Sequence, residues 1–85
     1  MAVRSDKRLI YETPAQIEPA EGSYSTAQRW GALRKSWKGY VIALRNGEAE
    51  KAKMYAERIN RLQKSLGIEI THFRLVVQDG VLRSE

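Results

Sequence analysis

The 85-residue chain predicts an α+β fold: an antiparallel helical hairpin packed on a small antiparallel sheet, in the order β-α-α-β-β. Three observations lead there. Residues 25–46 and 48–66 repeat apolar side chains at spacings of three and four, the mark of a helix with one buried face. The Asn46-Gly47 pair joins them, and so short a join makes the helices antiparallel. Ile68 to Val77 is instead dense in β-branched and aromatic residues and leads into Asp79-Gly80, the pair that favours a two-residue hairpin turn.

Each element has a local reason. Residues 1–6 read as a loose start. Lys7–Thr13 has a Leu9-Ile10-Tyr11 centre and stops at Pro14, so it is expected to be a short strand. It supplies a third strand to the C-terminal hairpin, which alone would be marginal in water. Pro14–Tyr24 holds both prolines and a Gly-Ser pair, with Ile17 as its apolar anchor, and reads as a connection. The alternative for residues 1–24 is an arm that orders only against a partner.

The first helix opens at Ser25, with Gln28 three residues on, in a capping-box pattern. Its expected core seam is Trp30, Leu33, Trp37, Val41 and Leu44, with Tyr40 beside it. A stripe of small residues, Ala32, Ser36, Gly39 and Ala43, lies alongside. Glycine within a helix costs about 1 kcal/mol against alanine, so Gly39 implies the close approach of a neighbour. Asn46-Gly47 ends the helix with residues that tolerate a left-handed backbone. The second helix places Glu48 and Glu50 in its first turn and Arg61 and Lys64 near its last, matching the helix dipole. Ala52, Tyr55, Ile59, Leu62 and Leu66 form its seam, Glu57 and Arg61 are spaced as an ion pair, and Met54 falls outside the seam. Gly67 stops it, with Ile68 folding back in a Schellman closure. The divisions are thus an arm and linker over 1–24, a helical hairpin over 25–66 and a β-hairpin over 67–85, within a single domain.

With 42% hydrophobic and 29% charged residues, the composition is that of a globular protein, neither disordered nor membrane-embedded. No apolar run approaches the roughly 20 residues of a membrane span, and MAVRSDKRLIYE lacks the apolar stretch of a signal peptide. There is no cysteine, hence no disulfide framework and no thiolate site. A cytoplasmic setting without a membrane partner is expected.

The net charge of +5 is concentrated in the first helix, where Arg29, Arg34, Lys35, Lys38 and Arg45 meet no acidic residue. On a helical wheel Arg34, Lys38 and Arg45 share one flank of the seam, Lys35 lies further round, and Arg29 is on the other side. Cations along a helix of roughly 33 Å suit phosphate backbone contacts better than base reading. The leading expectation is a basic, non-catalytic module that binds DNA or RNA through these five residues. The alternative is a protein-interaction module (an assembly component, regulatory subunit or inhibitor), with an acidic partner or a second copy meeting the basic face, Tyr24, Tyr40, Met54 and a sheet edge. The seam spacing assigns the tryptophans to the core rather than to stacking on unpaired bases.

No catalytic constellation assembles. His72 is the lone histidine, without cysteine or clustered carboxylates to complete a metal site. Glu48, Glu50 and Glu57 sit beside Lys51, Lys53 and Arg61, which suits a solvated ion-pair face better than an acid–base pair. Phosphate-loop, dinucleotide and zinc spacings are missing. No enzyme, cofactor, metal or small-molecule substrate is expected.

Overall fold

A computed structural model describes residues 7–22 and 24–85; the expected loose start at 1–6 lies outside them. The elements are β1 (Lys7–Glu12), α1 (Thr26–Arg45), α2 (Ala49–Leu66), β2 (Arg74–Gln78) and β3 (Val81–Ser84). The three strands form one antiparallel sheet in the order β1-β2-β3. The two helices lie side by side on it, α1 toward β3 and α2 toward β1. This is the β-α-α-β-β architecture expected from the sequence.

The local signals hold at most junctions; at the start of α2, Glu50 lies in the first turn as expected, but Glu48 is the N-cap residue, outside it, and makes no side-chain cap. Ser25 Oγ accepts from the Gln28 N–H at 3.2 Å, and Gln28 Oε1 accepts from the Ser25 N–H at 3.0 Å. At the end of α1 the left-handed backbone falls to Gly47 (φ 72°), while Asn46 has φ −88°. At the end of α2 the Ile68 N–H reaches the Gln63 carbonyl and the Gly67 N–H the Lys64 carbonyl, both at 3.1 Å, closing the helix as expected. Asp79 and Gly80 both have positive φ, 54° and 76°, the type I′ geometry whose twist suits a two-residue hairpin.

The rotation of α1 differs from the expected seam. Its buried residues are Leu33, Ser36, Tyr40 and Ala43, whereas Trp30 and Val41 are 44% and 45% exposed. The helix has two neighbours to satisfy. Its small-residue stripe meets α2, where Gly39 lies under the Tyr55 ring. Trp37 and Tyr40 turn down to Phe73, with ring centroids 5.4 and 4.9 Å from it. Serving both contacts carries Trp30 and Val41 past the edge of the buried arc. In α2, by contrast, Ala52, Ile59 and Leu62 are buried as expected, with Tyr55 and Leu66 packed against the core.

The second difference is where β2 begins. The β-rich run from Ile68 predicts a strand there, but regular pairing starts at Arg74. Asn60 and Gln63 of α2 capture the intervening backbone. Gln63 Oε1 accepts the Thr71 N–H at 2.9 Å, Gln63 Nε2 donates to Thr71 Oγ1 at 2.9 Å, and Asn60 Nδ2 donates to the Thr71 carbonyl at 2.8 Å. Backbone groups spent on side chains are no longer free for a ladder.

The same cluster holds β1. Tyr11 Oη and Thr13 Oγ1 both donate to Asn60 Oδ1 at 2.8 Å, and the Phe73 N–H donates to Thr13 Oγ1 at 2.8 Å. Burial raises the Tyr11 phenol pKa, opposed by its hydrogen bonding with Thr13 and reinforced by the Glu57 charge. A bulge at Ile10, between the Leu9–Val76 and Tyr11–Leu75 pairings, restores the facing that carries Tyr11 to Asn60. Asn60 and Gln63 are 1% and 4% exposed, and no buried side-chain polar atom among the described residues lacks a partner.

From β1 the chain crosses α2 to reach α1. The Ala20 N–H donates to the Arg61 carbonyl at 3.1 Å, and Ser65 Oγ donates to the Ala20 carbonyl at 3.2 Å. Residues 7–22 are therefore docked on the chain itself. Among the described residues, no helix is long and apolar enough to cross a membrane.

Candidate nucleic-acid interface

Charge divides by layer. The hairpin over 26–66 carries ten basic residues against three acidic, Glu48, Glu50 and Glu57; the remainder of the chain carries five against seven. The helices are therefore net positive by seven and the rest net negative by two.

Pairing sharpens this division. On the sheet, Arg74 contacts Glu12 at 3.1 Å and Glu85 at 3.2 Å, Lys7 pairs with Glu85, and His72 lies 3.4 Å from Glu12. Hydrogen bonding from Lys7, then from Arg74, lowers the Glu85 carboxyl pKa against the opposing pull of desolvation. Hydrogen bonds to Glu85 and Glu12 raise that of Arg74. On the helices the one ion pair among the described residues is Lys51–Glu48, at 3.2 Å. The expected Glu57–Arg61 pair does not close within 4.0 Å, and among the described residues the five α1 cations have no carboxylate within that distance. On the sheet Lys7 and Arg74 are paired, while Arg8 and Arg83 are in no ion pair among the described residues; on the helices every cation but Lys51 is left for solvent or a ligand.

The structure divides the five expected binding residues between two surfaces. Arg34, Lys38 and Arg45 are exposed on the outward flank of α1. Trp30, Val41 and Ile42, the last 47% exposed, lie among them. Arg29 and Lys35 instead border a groove of about 860 Å³ between α1 and α2. Arg58 and Arg61 of α2 border it as well, and Ala20, Ala32 and Leu62 contribute apolar lining.

Sequence reasoning missed Arg58 and Arg61. The available signal was their placement with Met54 at positions 54, 58 and 61, a four-three spacing on the side of α2 away from its seam. Facing α1 across a groove is a property of the hairpin and cannot be read from α2 alone.

The three residues proposed for protein contact also separate. Tyr24, 59% exposed, and Met54, 44% exposed, both line the groove. The Tyr24 ring lies against the backbone of Gly22, where an added Cβ would sit 2.9 Å from it. Tyr40 is 5% exposed, set edge-on to Trp37 at 5.8 Å, with its hydroxyl donating to Ser84 Oγ at 3.4 Å. It builds the core and offers no surface.

Unpaired guanidinium and ammonium groups beside an apolar floor suit the binding of a polyanion. His72 is exposed on the sheet side, where its Nε2 lies 3.4 Å from Glu12 Oε2. Among the described residues, no group of three or more His, Cys, Asp or Glu side chains is placed to hold a metal ion. Neither a family model, a curated protein nor a solved structure matches this chain.

Proposed function

We propose that the protein is a small, non-catalytic binding module whose helical layer contacts the phosphate backbone of nucleic acid. One observation supports this reading above the others: the helical layer holds ten basic residues against three acidic, and among the described residues none of the five α1 cations has a carboxylate within 4.0 Å. α1 has 20 residues, about 30 Å of length, enough to place several cations along a backbone. Lysine and arginine without neighbouring Asn or Gln on the outward flank favour positioning contacts over base reading.

The test is binding of a fluorescently labelled oligonucleotide at stepped salt concentrations. Four phosphate contacts on duplex DNA correspond to a log–log salt slope of about −3.6. Reversing charge at Arg34, Lys38 and Arg45 together is expected to abolish duplex binding with the helical circular dichroism intact. Reversing Arg83, on the sheet, is expected to leave affinity within about twofold, because screening limits exposed charges to short range. Failure of the parent to bind at low salt sinks the reading.

The exposed Trp30, Val41 and Ile42 favour a second reading, in which the outward face of α1 meets a protein with an acidic, partly apolar surface. Aromatic residues and arginine are what interface cores favour. A defined oligomer or stable complex lost in Trp30→Ala supports it; a monodisperse monomer that captures no protein counts against it.

A further inference from the structure

We propose that the groove between α1 and α2 is a site for a single-stranded polynucleotide, with phosphates on the Arg29–Lys35 and Arg58–Arg61 rims and one unpaired base against Tyr24. This rests on the nucleic-acid reading of the helical layer and narrows it to one strand form and one place.

Four features converge. Cations border both sides of the groove, two from each helix, and only Glu21 and Glu57 oppose them among its lining residues. Its lining includes apolar Ala20, Ala32 and Leu62, which a hydrated duplex backbone has no use for and the face of an unpaired base does. An exposed aromatic ring stands at the groove with its seat already built, since Gly22, at φ 120°, lets the Tyr24 ring lie on bare backbone. The connecting segment that carries Tyr24 is fastened to α2 through Ala20, by the Arg61 carbonyl on one side and Ser65 Oγ on the other. The ring is thus presented near a fixed wall.

Single-strand sites commonly combine a positive groove with aromatic stacking. Here the combination discriminates by chemistry. A duplex shows phosphates to the rims but keeps its base faces stacked inside, so it gains the electrostatic part and none of the stacking. A single strand gains both. DNA and RNA share the phosphates and base faces, so the groove chemistry treats them alike and the experiment separates them.

The experiment measures fluorescence anisotropy with labelled 12-nucleotide oligo(dT), the matching oligo(rU) and a 12-base-pair DNA duplex, at one fixed low salt concentration. At least tenfold tighter binding of either single strand than of the duplex is expected. Tyr24→Ala is expected to weaken single-strand binding by about 5–150-fold, the range for losing one stacked base, and to leave duplex binding unchanged. Tyr24→Phe, which keeps the ring, is expected to restore the parent affinity. Arg58→Glu with Arg61→Glu is expected to reduce single-strand affinity more than duplex affinity. Circular dichroism checks that each variant is folded. Duplex binding as tight as single-strand binding, or a Tyr24→Ala variant with parental single-strand affinity, overturns the groove assignment while leaving the helical layer as the nucleic-acid surface. No binding of any probe overturns both.

Discussion

Gly39 lies directly beneath the ring of Tyr55: a Cβ added to it would fall within 2.6 Å of Tyr55 Cε1. The absence of a side chain at one position of α1 sets how closely the two helices approach. Gly31, in the same helix, has no heavy atom within 4 Å of where its Cβ would be. The two glycines therefore respond oppositely to alanine. Gly31→Ala is expected to stabilise the fold by up to about 1 kcal/mol through helix propensity. Gly39→Ala forces the ring or the helix aside and is expected to destabilise by about 1–3 kcal/mol, as overpacking does. Urea midpoints at unchanged slope check both; a stable Gly39→Ala variant contradicts the packing.

Trp37 and Trp30 are separated just as sharply. Trp37 packs on Phe73 and Tyr40, and Trp37→Ala is expected to cost about 3–5 kcal/mol. Trp30 is 44% exposed, and Trp30→Ala is expected to cost less than about 1 kcal/mol, since surface changes seldom cost more. Equal losses in chemical denaturation indicate a different rotation of α1.

Asn60 joins three segments through one side chain. Asn60→Ala takes the acceptor from the Tyr11 hydroxyl and one partner each from the Thr13 hydroxyl and the Thr71 carbonyl, which keep their mutual bond at 3.2 Å, and an orphaned buried group costs about 1–3 kcal/mol. A loss of at least about 2 kcal/mol is expected, with faster amide exchange at Thr71 and Phe73. Asn60→Asp keeps the acceptors but removes the Nδ2 donor and adds a buried charge, so it also destabilises near neutral pH.

The sheet's ion pairs give a pH signature. Lys7 and Arg74 hold the Glu85 carboxyl below its ordinary value of 4.5, so the folded state favours the charged form. That stability is fully present above the ordinary value and is lost as pH falls through the lower folded one. Glu85→Gln is expected to lower Tm at pH 7 but not at the acid end of the titration. Added salt shrinks the difference, because Glu85 is exposed and screened. A Tm gap that persists unchanged into acid contradicts the pairing.

Local rules made much of the fold legible. The capping box at Ser25 and Gln28, the glycine stops at 47 and 67 and the Asp79-Gly80 turn each depend on a few neighbouring residues. So did the expectation that Gly39 marks a close approach. What stayed hidden depends on partners distant in sequence. α1 has apolar residues on its outward side too, at Trp30, Val41 and Ile42, so its spacing permits more than one buried arc. Only α2 and the sheet choose between them. The β-branched and aromatic density of the run from Ile68 predicts a strand from its start, because nothing within that run shows that Asn60 and Gln63 of α2 take the Thr71 backbone. The expected cations were visible as charges, but their division between an outward flank and a groove follows from the helix rotation.

Mapping the contact surface tests directly whether the helical layer binds nucleic acid. Amide chemical-shift changes are followed in the isotope-labelled protein during titration with oligo(dT) at low salt. Shifts are expected to concentrate on α1 and on α2 around Met54 to Arg61, with β2 and β3 unmoved. Shifts confined to the sheet, or none at saturating oligonucleotide, contradict binding by the helical layer.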